Sequence, residues 1–188
     1  WMPENHSLQM HMDILFSVFS FQPEEKYLLK FLSLTALKSV SRAFLETWCK
    51  ADCTSALEKM KALGVIQSGG EESYRLHPLI ADRVLFNYPP QAGEFSFPTE
   101  KLTGALLNAD SHNRRTLLAM ATHYAAHLQG TNRSLVLLYQ TLAARLPRKQ
   151  VQPWMEKAEE MFSAVMGADA VPYFLQLKAI AVRFSGLM

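Results

Sequence analysis

One interruption of helical periodicity constrains the fold more than any other feature. Apolar residues recur at three- and four-residue spacing through most of the chain. Val65-Ile66-Gln67 and Tyr74-Arg75-Leu76, however, are short β-prone runs on either side of Ser68-Gly69-Gly70-Glu71-Glu72-Ser73. Two such runs joined by a polar, glycine-containing segment predict a hairpin with Gly69 and Gly70 in its turn.

Those helices can be placed from their apolar stripes and end signals. Leu8, Met12, Leu15, Phe16 and Phe19 share one face of a first helix. Phe21-Gln22-Pro23 breaks it, and Pro23-Glu24-Glu25 opens a second helix carrying Tyr27, Leu28, Phe31 and Leu32. Ser39-Val40-Ser41 supplies a cap for a helix over 42–50, and Asp52 or Thr54 caps one through Leu57, Met60 and Leu63 that Gly64 ends. After the hairpin, Pro78 starts a helix in which Leu79, Ile80, Val84, Leu85 and Tyr88 recur on one side until Pro89-Pro90. Four helices, a hairpin and a helix make a winged-helix order, with the helix-turn-helix at about 41–64 and the hairpin as the wing.

The stretch from Pro89 to Pro98 has no period and is rich in turn formers, so it reads as a linker between residues 1–90 and residues 91–188. Beyond it, helices are expected at about 99–109, 112–128, 132–146, 153–166 and 169–185. The expected fold class is therefore mainly α: a winged-helix domain with a small β-hairpin wing, followed by an antiparallel, solenoid-like helical array. No clean repeat period assigns that array to a repeat family, whether TPR-like or another.

Composition limits the partners. Lys and Arg total 19 against 17 for Asp and Glu. The halves differ little, with nine basic and ten acidic residues over 1–90 and ten and seven over 91–188. Neither half is a polycation, which argues against bulk nucleic acid. Cys49 and Cys53 are the only cysteines, too few for a disulfide framework, and the cytoplasm is the expected compartment. No run of about 18 apolar residues and no secretory leader pattern occurs, so no membrane is expected. The chain opens on Trp1 and closes on Ser185-Gly186-Leu187-Met188 while still apolar, and is expected to be a piece of a longer protein.

Three segments carry a resemblance. They are Asp13-Ile14-Leu15-Phe16-Ser17-Val18-Phe19 followed by 23–34, then Ala56-Leu57-Glu58-Lys59-Met60-Lys61-Ala62-Leu63-Gly64-Val65-Ile66, then Tyr74-Arg75-Leu76-His77-Pro78-Leu79-Ile80-Ala81-Asp82. In order and spacing, residues 8–88 resemble the winged-helix region of the STAND ATPases, the NB-ARC-like class of nucleotide-switched signalling proteins. The resemblance covers not quite half the chain. The helical half is similar to the family's sensor array in architecture only. The resemblance implies an upstream nucleotide-binding domain as partner, and a protein or small-molecule effector for the array. It also implies a role for His77, just after the second wing strand, in contacting the terminal phosphate of ADP. The His77-Pro78 pattern is similar to the bacterial form of the family, not to the Met-His-Asp form of plant resistance proteins.

The chain has no Gly-x-x-x-x-Gly-Lys-Ser/Thr loop. Without that loop's amides and lysine the phosphates have no cradle, so the chain is expected to be non-catalytic and to hold no cofactor, ADP or ATP belonging to the parent protein.

Each candidate site has an ordinary structural alternative. His77 can instead cap the helix after it. His123 and His127 stand four apart, near Asp110 and His112, but lack a Glu in the His-Glu-x-x-His pattern and a third ligand, so surface histidines are expected. Cys49 and Cys53 have no second cysteine pair and are expected to be helix and turn residues. Arg114, Arg115, Arg145, Arg148 and Lys149 form either a basic patch or solvated helix ends. A DNA-binding reading would insert the helix at 54–63 into the major groove, but Glu71, Glu72 and Glu58 oppose it. Finally, Leu135, Val136, Leu137, Leu138, Leu142, Tyr173, Phe174 and Phe184 exceed what a narrow stripe needs. They mark either a buried central helix or a face for a partner.

Overall fold

A computed structural model describes residues 21–35, 39–49, 52–69, 73–146 and 148–165. The helices expected over 8–19 and 169–185 fall outside them. The described chain is mainly helical, with eight helices and one small antiparallel sheet. It divides into two compact units, Trp1–Pro89 and Pro90–Met188.

In the first unit, α1 spans Pro23–Thr35 and begins as its sequence dictates. Pro23 occupies a position whose N–H would be unsatisfied anyway, and the Glu25 carboxylate reaches back to accept from the Gln22 N–H at 2.9 Å. A two-residue strand, β1 (Val40–Ser41), leads directly into α2 (Arg42–Cys49). The expected cap is present, since Ser41 Oγ accepts from the Phe44 N–H at 3.2 Å. The strand itself is a correction to the sequence reading, because two residues are too few to show a period. Asp52 Oδ1 accepts from the Thr54 N–H at 2.8 Å at the start of α3 (Thr54–Ala62). Gly64 ends this helix at φ +69°, with Gly64 N–H donating to the Lys61 carbonyl and Val65 N–H to the Met60 carbonyl, both at 2.9 Å. This is the Schellman arrangement that favours glycine.

Strands β2 (Ile66–Gly69) and β3 (Ser73–Leu76) pair antiparallel, Ile66 opposite Leu76 and Gly69 opposite Ser73. β1 joins the other edge of β3, Val40 opposite Tyr74, for a strand order β1-β3-β2. Gly69 thus closes a strand instead of sitting in the turn, and Gly70 lies outside the described residues. Helix α4 (Pro78–Asn87) follows and packs on α1. The core gathers Leu28, Leu29, Phe31 and Leu34 of α1 with Leu45, Leu57, Met60, Ile66 and Val84. Phe31 also stacks on Phe44, with ring centroids 6.3 Å apart, and lies tilted against Trp48 at 6.4 Å.

One ion pair ties α1 to α3. Lys59 Nζ lies 2.8 Å from Glu25 Oε1, and the carboxylate is almost fully buried while the lysine stays partly exposed. Burial alone would raise the Glu25 pKa, but the Lys59 hydrogen bond, the Gln22 N–H and the Lys59 charge outweigh it and hold the group below its ordinary value. A depressed carboxylate stabilises the fold above the ordinary carboxylate range, and that stability is lost as pH falls through its folded value. Lys59→Met should leave the carboxylate buried without a counter-ion. The expected cost is about 1–3 kcal/mol, discounted from the fully buried case because Lys59 is partly solvated. Urea melts at pH 7 and pH 4 check this: the variant should be weaker at pH 7, and the difference should shrink at pH 4.

The second unit is built on α5 (Ser96–Leu107), α6 (Arg114–His127), α7 (Arg133–Arg145) and α8 (Arg148–Val165). Helix α7 packs against the other three. Leu135, Val136, Leu138 and Leu142 are all buried there, so the apolar excess of this segment is that of a central helix. Tyr173, Phe174 and Phe184 lie outside the described residues.

Two helix starts differ from expectation because prolines entered helices. Helix α5 begins at Ser96, with Pro98 buried in its first turn, where its missing donor costs nothing. Helix α8 begins at Arg148 and runs through Pro153. The expected linker is also more ordered than its composition implies. Gln129 N–H donates to the Pro90 carbonyl at 2.9 Å and Ala92 N–H to the Gln129 carbonyl at 2.8 Å. Asn132 caps α7 by accepting from the Leu135 N–H at 2.8 Å, while its amide donates to Ser96 Oγ at 2.9 Å. A segment without periodicity is thus fixed by polar groups far along the chain.

Candidate functional site

His77 stands between two rigid elements. The preceding residue, Leu76, is paired with Ile66 in the sheet, and the following Pro78 is the first residue of α4. The His77 backbone is extended, φ −67° and ψ 137°, and its carbonyl accepts from the N–H groups of Ile80 and Ala81 at 2.9 and 3.0 Å. Its Nδ1 accepts from the Leu79 N–H at 3.3 Å, which makes the histidine the N-cap of α4. An accepting Nδ1 carries no proton, so the neutral ring holds its N–H at Nε2. The side chain is exposed, leaving that donor accessible to solvent. The ring is therefore positioned by the cap and has one hydrogen bond to give. His77 thus takes the capping role.

Helix α4 extends this site into a surface. Leu79 and Phe86 are 45% and 76% exposed, although both are large and apolar. Arg83 lies between them in sequence, its guanidinium carbon 5.8 Å from the centroid of the Phe86 ring. At 100° per residue, Leu79 and Phe86 project within about 20° of one another and about 140° and 160° away from the buried Val84. This corrects the sequence reading, which put Leu79 on the same side as Val84. Phe86 was missed altogether, although the same helical arithmetic applied to both residues would have found the second face. Leu79, Arg83 and Phe86 thus lie along one side of α4, and His77 caps the N-terminal end of the same helix. Such a side can bury apolar area against a partner.

The other candidates are placed as follows. Cys49 and Cys53 are hydrogen-bonded to one another. The bond to Cys53, followed by burial, pushes the Cys49 thiol up. Asp110 is engaged in its own loop, accepting from the Asn113 N–H at 2.8 Å. His123 and His127 lie with ring centroids 4.3 Å apart, and His127 Nδ1 donates to the His123 carbonyl at 2.8 Å. No group of three His, Cys, Asp or Glu side chains placed to share a metal ion occurs among the described residues.

The expected basic patch separates into parts. Arg145 donates to the Leu107 carbonyl at 3.1 Å, near the end of α5. Arg114 and Arg115 line a groove along α6 together with His123 and His127. The side chains of Arg148 and Lys149 are outside the described set, as are Glu71 and Glu72. On α3, the helix that a DNA-binding reading would insert, Lys59 is held by Glu25. Among the described residues no helix is long and apolar enough to cross a membrane. In comparisons with known proteins, no family model matches the chain, and neither a curated protein nor a solved structure is significantly similar to it.

Proposed function

We propose that this chain is a non-catalytic regulatory and interaction fragment of a nucleotide-switched STAND ATPase. Its first unit, read as a winged helix, docks on an upstream nucleotide-binding domain, and its second unit, read as a helical array, receives a protein or small-molecule signal. The observation that carries this reading is the exposed side of α4, on which two large apolar side chains, Leu79 and Phe86, remain uncovered in the helix that His77 caps. Exposed apolar surface costs free energy in water, and a helix that retains it is suited to meeting another folded surface. The strand order β1-β3-β2, with a helix pair between β1 and β2, also supports the winged-helix reading.

The mechanism is a population shift. ADP favours the docked, inactive arrangement through His77, and effector binding to the array favours release. Each ligand acts only through its differential affinity for the two states. The rival reading, a winged-helix transcription regulator with a helical effector or dimerisation domain, is weakened by the loss of Lys59 to an internal ion pair.

Leu79→Ser combined with Phe86→Ser in the full-length parent tests the docking face. Both side chains are exposed, so the melting temperature of the present chain should change little. Basal signalling of the parent should rise and its ADP should dissociate faster. Unchanged ADP release together with salt-sensitive binding of duplex DNA would favour the transcription-regulator reading instead.

A further inference from the structure

A groove of about 770 Å³ runs along α6, with Leu146 and Gln150 on its far side. Its α6 wall is a single helix face, since lining positions 115, 118, 119, 122 and 126 recur at three- and four-residue spacing. Helix α6 has 14 residues, so this wall is about 20 Å long, three to four helical turns. An elongated occupant fits that shape better than a compact one. Leu118, Ala119 and Ala126 give the wall an apolar strip, which Leu146 faces. Arg114 and Arg115 stand at one end of the groove and His123 and His127 towards the other, with no aspartate or glutamate among its lining residues. An apolar strip flanked by cationic and neutral groups is complementary to a ligand with one apolar side and negative charge beside it.

We infer that the groove docks an acidic amphipathic helix of a protein partner. The partner's apolar face lies on Leu118, Ala119 and Ala126, and its carboxylates meet Arg114 and Arg115. This names the partner of the receiving half and so rests on the reading of the second unit given above.

The test uses the whole chain and a labelled 16-residue amphipathic peptide with leucine and alanine on one face and glutamate on the other. A second peptide carries lysine in place of every glutamate. The glutamate peptide should bind, and more weakly as salt is raised. Arg114→Glu with Arg115→Glu should weaken it by at least about tenfold, with the melting temperature unchanged because both arginines are exposed. Equal binding of the lysine peptide, an unaltered affinity in the double variant, or no binding at millimolar peptide would each overturn the proposal. Binding of dodecanoate without binding of the peptide would overturn it in favour of a small amphipathic anion. Self-association of the chain that the double variant abolishes would overturn it in favour of a second copy. The peptide titration needs no nucleotide. Peptide binding that leaves ADP release from the parent unchanged would therefore remove the switch reading while leaving the groove assignment in place.

Discussion

Replacing His77 by alanine in the full-length parent is expected to speed ADP release by about 10-fold to 150-fold, the equivalent of losing one charge-assisted hydrogen bond of about 1.5–3 kcal/mol. The variant also loses its cap, since Nδ1 no longer accepts from the Leu79 N–H, and should be less stable by about 0.5–2 kcal/mol. The two losses can be separated. Aspartate caps helices well but offers no donor to a phosphate and adds a charge that repels it. His77→Asp should restore the melting temperature while ADP release stays fast. If it restores both, His77 is a cap and nothing more.

The largest effect on stability is expected at Phe31. This side chain has no exposed surface, stacks on Phe44 and lies against Trp48, so it links α1 to α2. Phe31→Ala removes the ring and leaves a cavity, for an expected loss of about 3–5 kcal/mol. That is a large part of the stability of a small domain, so the first unit should be extensively unfolded at moderate urea concentrations. Trp48 reports it directly, because the indole packs on the lost ring and its emission should shift to the red. A loss below about 1 kcal/mol, with unchanged emission, would contradict the packing of α1 on α2.

Local chemistry made much of this architecture readable in the sequence. Pro23 with Glu25, Ser41, Asp52 and Gly64 each act within a few residues, and the helix ends they predict lie close to those observed. Two of the differences have a shared cause, since each depends on a partner distant in the chain. β1 exists because Val40 and Ser41 find Tyr74 and Ser73, and the segment after Pro89 is ordered by Gln129 and Asn132. The prolines act in another way: the helices expected from 99 and from 153 begin earlier, at Ser96 and Arg148, so that Pro98 and Pro153 lie within them.

The candidate site was half legible. His77 could be identified from its place between a β-prone run and a proline, but the exposed side of α4 could not be found by looking for a buried stripe alone. Phe86 stood outside that stripe and Leu79 was assigned to it, whereas together they form the opposite face. The α6 groove was less visible still. Arg114 and Arg115 were grouped in sequence with Arg145, and only the packing of the second unit places them with His123 and His127 and gives Arg145 a different role.

The central claim is that the first unit works by docking on a nucleotide-binding domain carried upstream in the same protein. Determining the coding sequence immediately before Trp1 tests it most directly. The account predicts a domain there containing a Gly-x-x-x-x-Gly-Lys-Ser/Thr loop, the phosphate cradle that this chain lacks. A natural start codon directly before Trp1, with no such domain preceding it, would contradict the account.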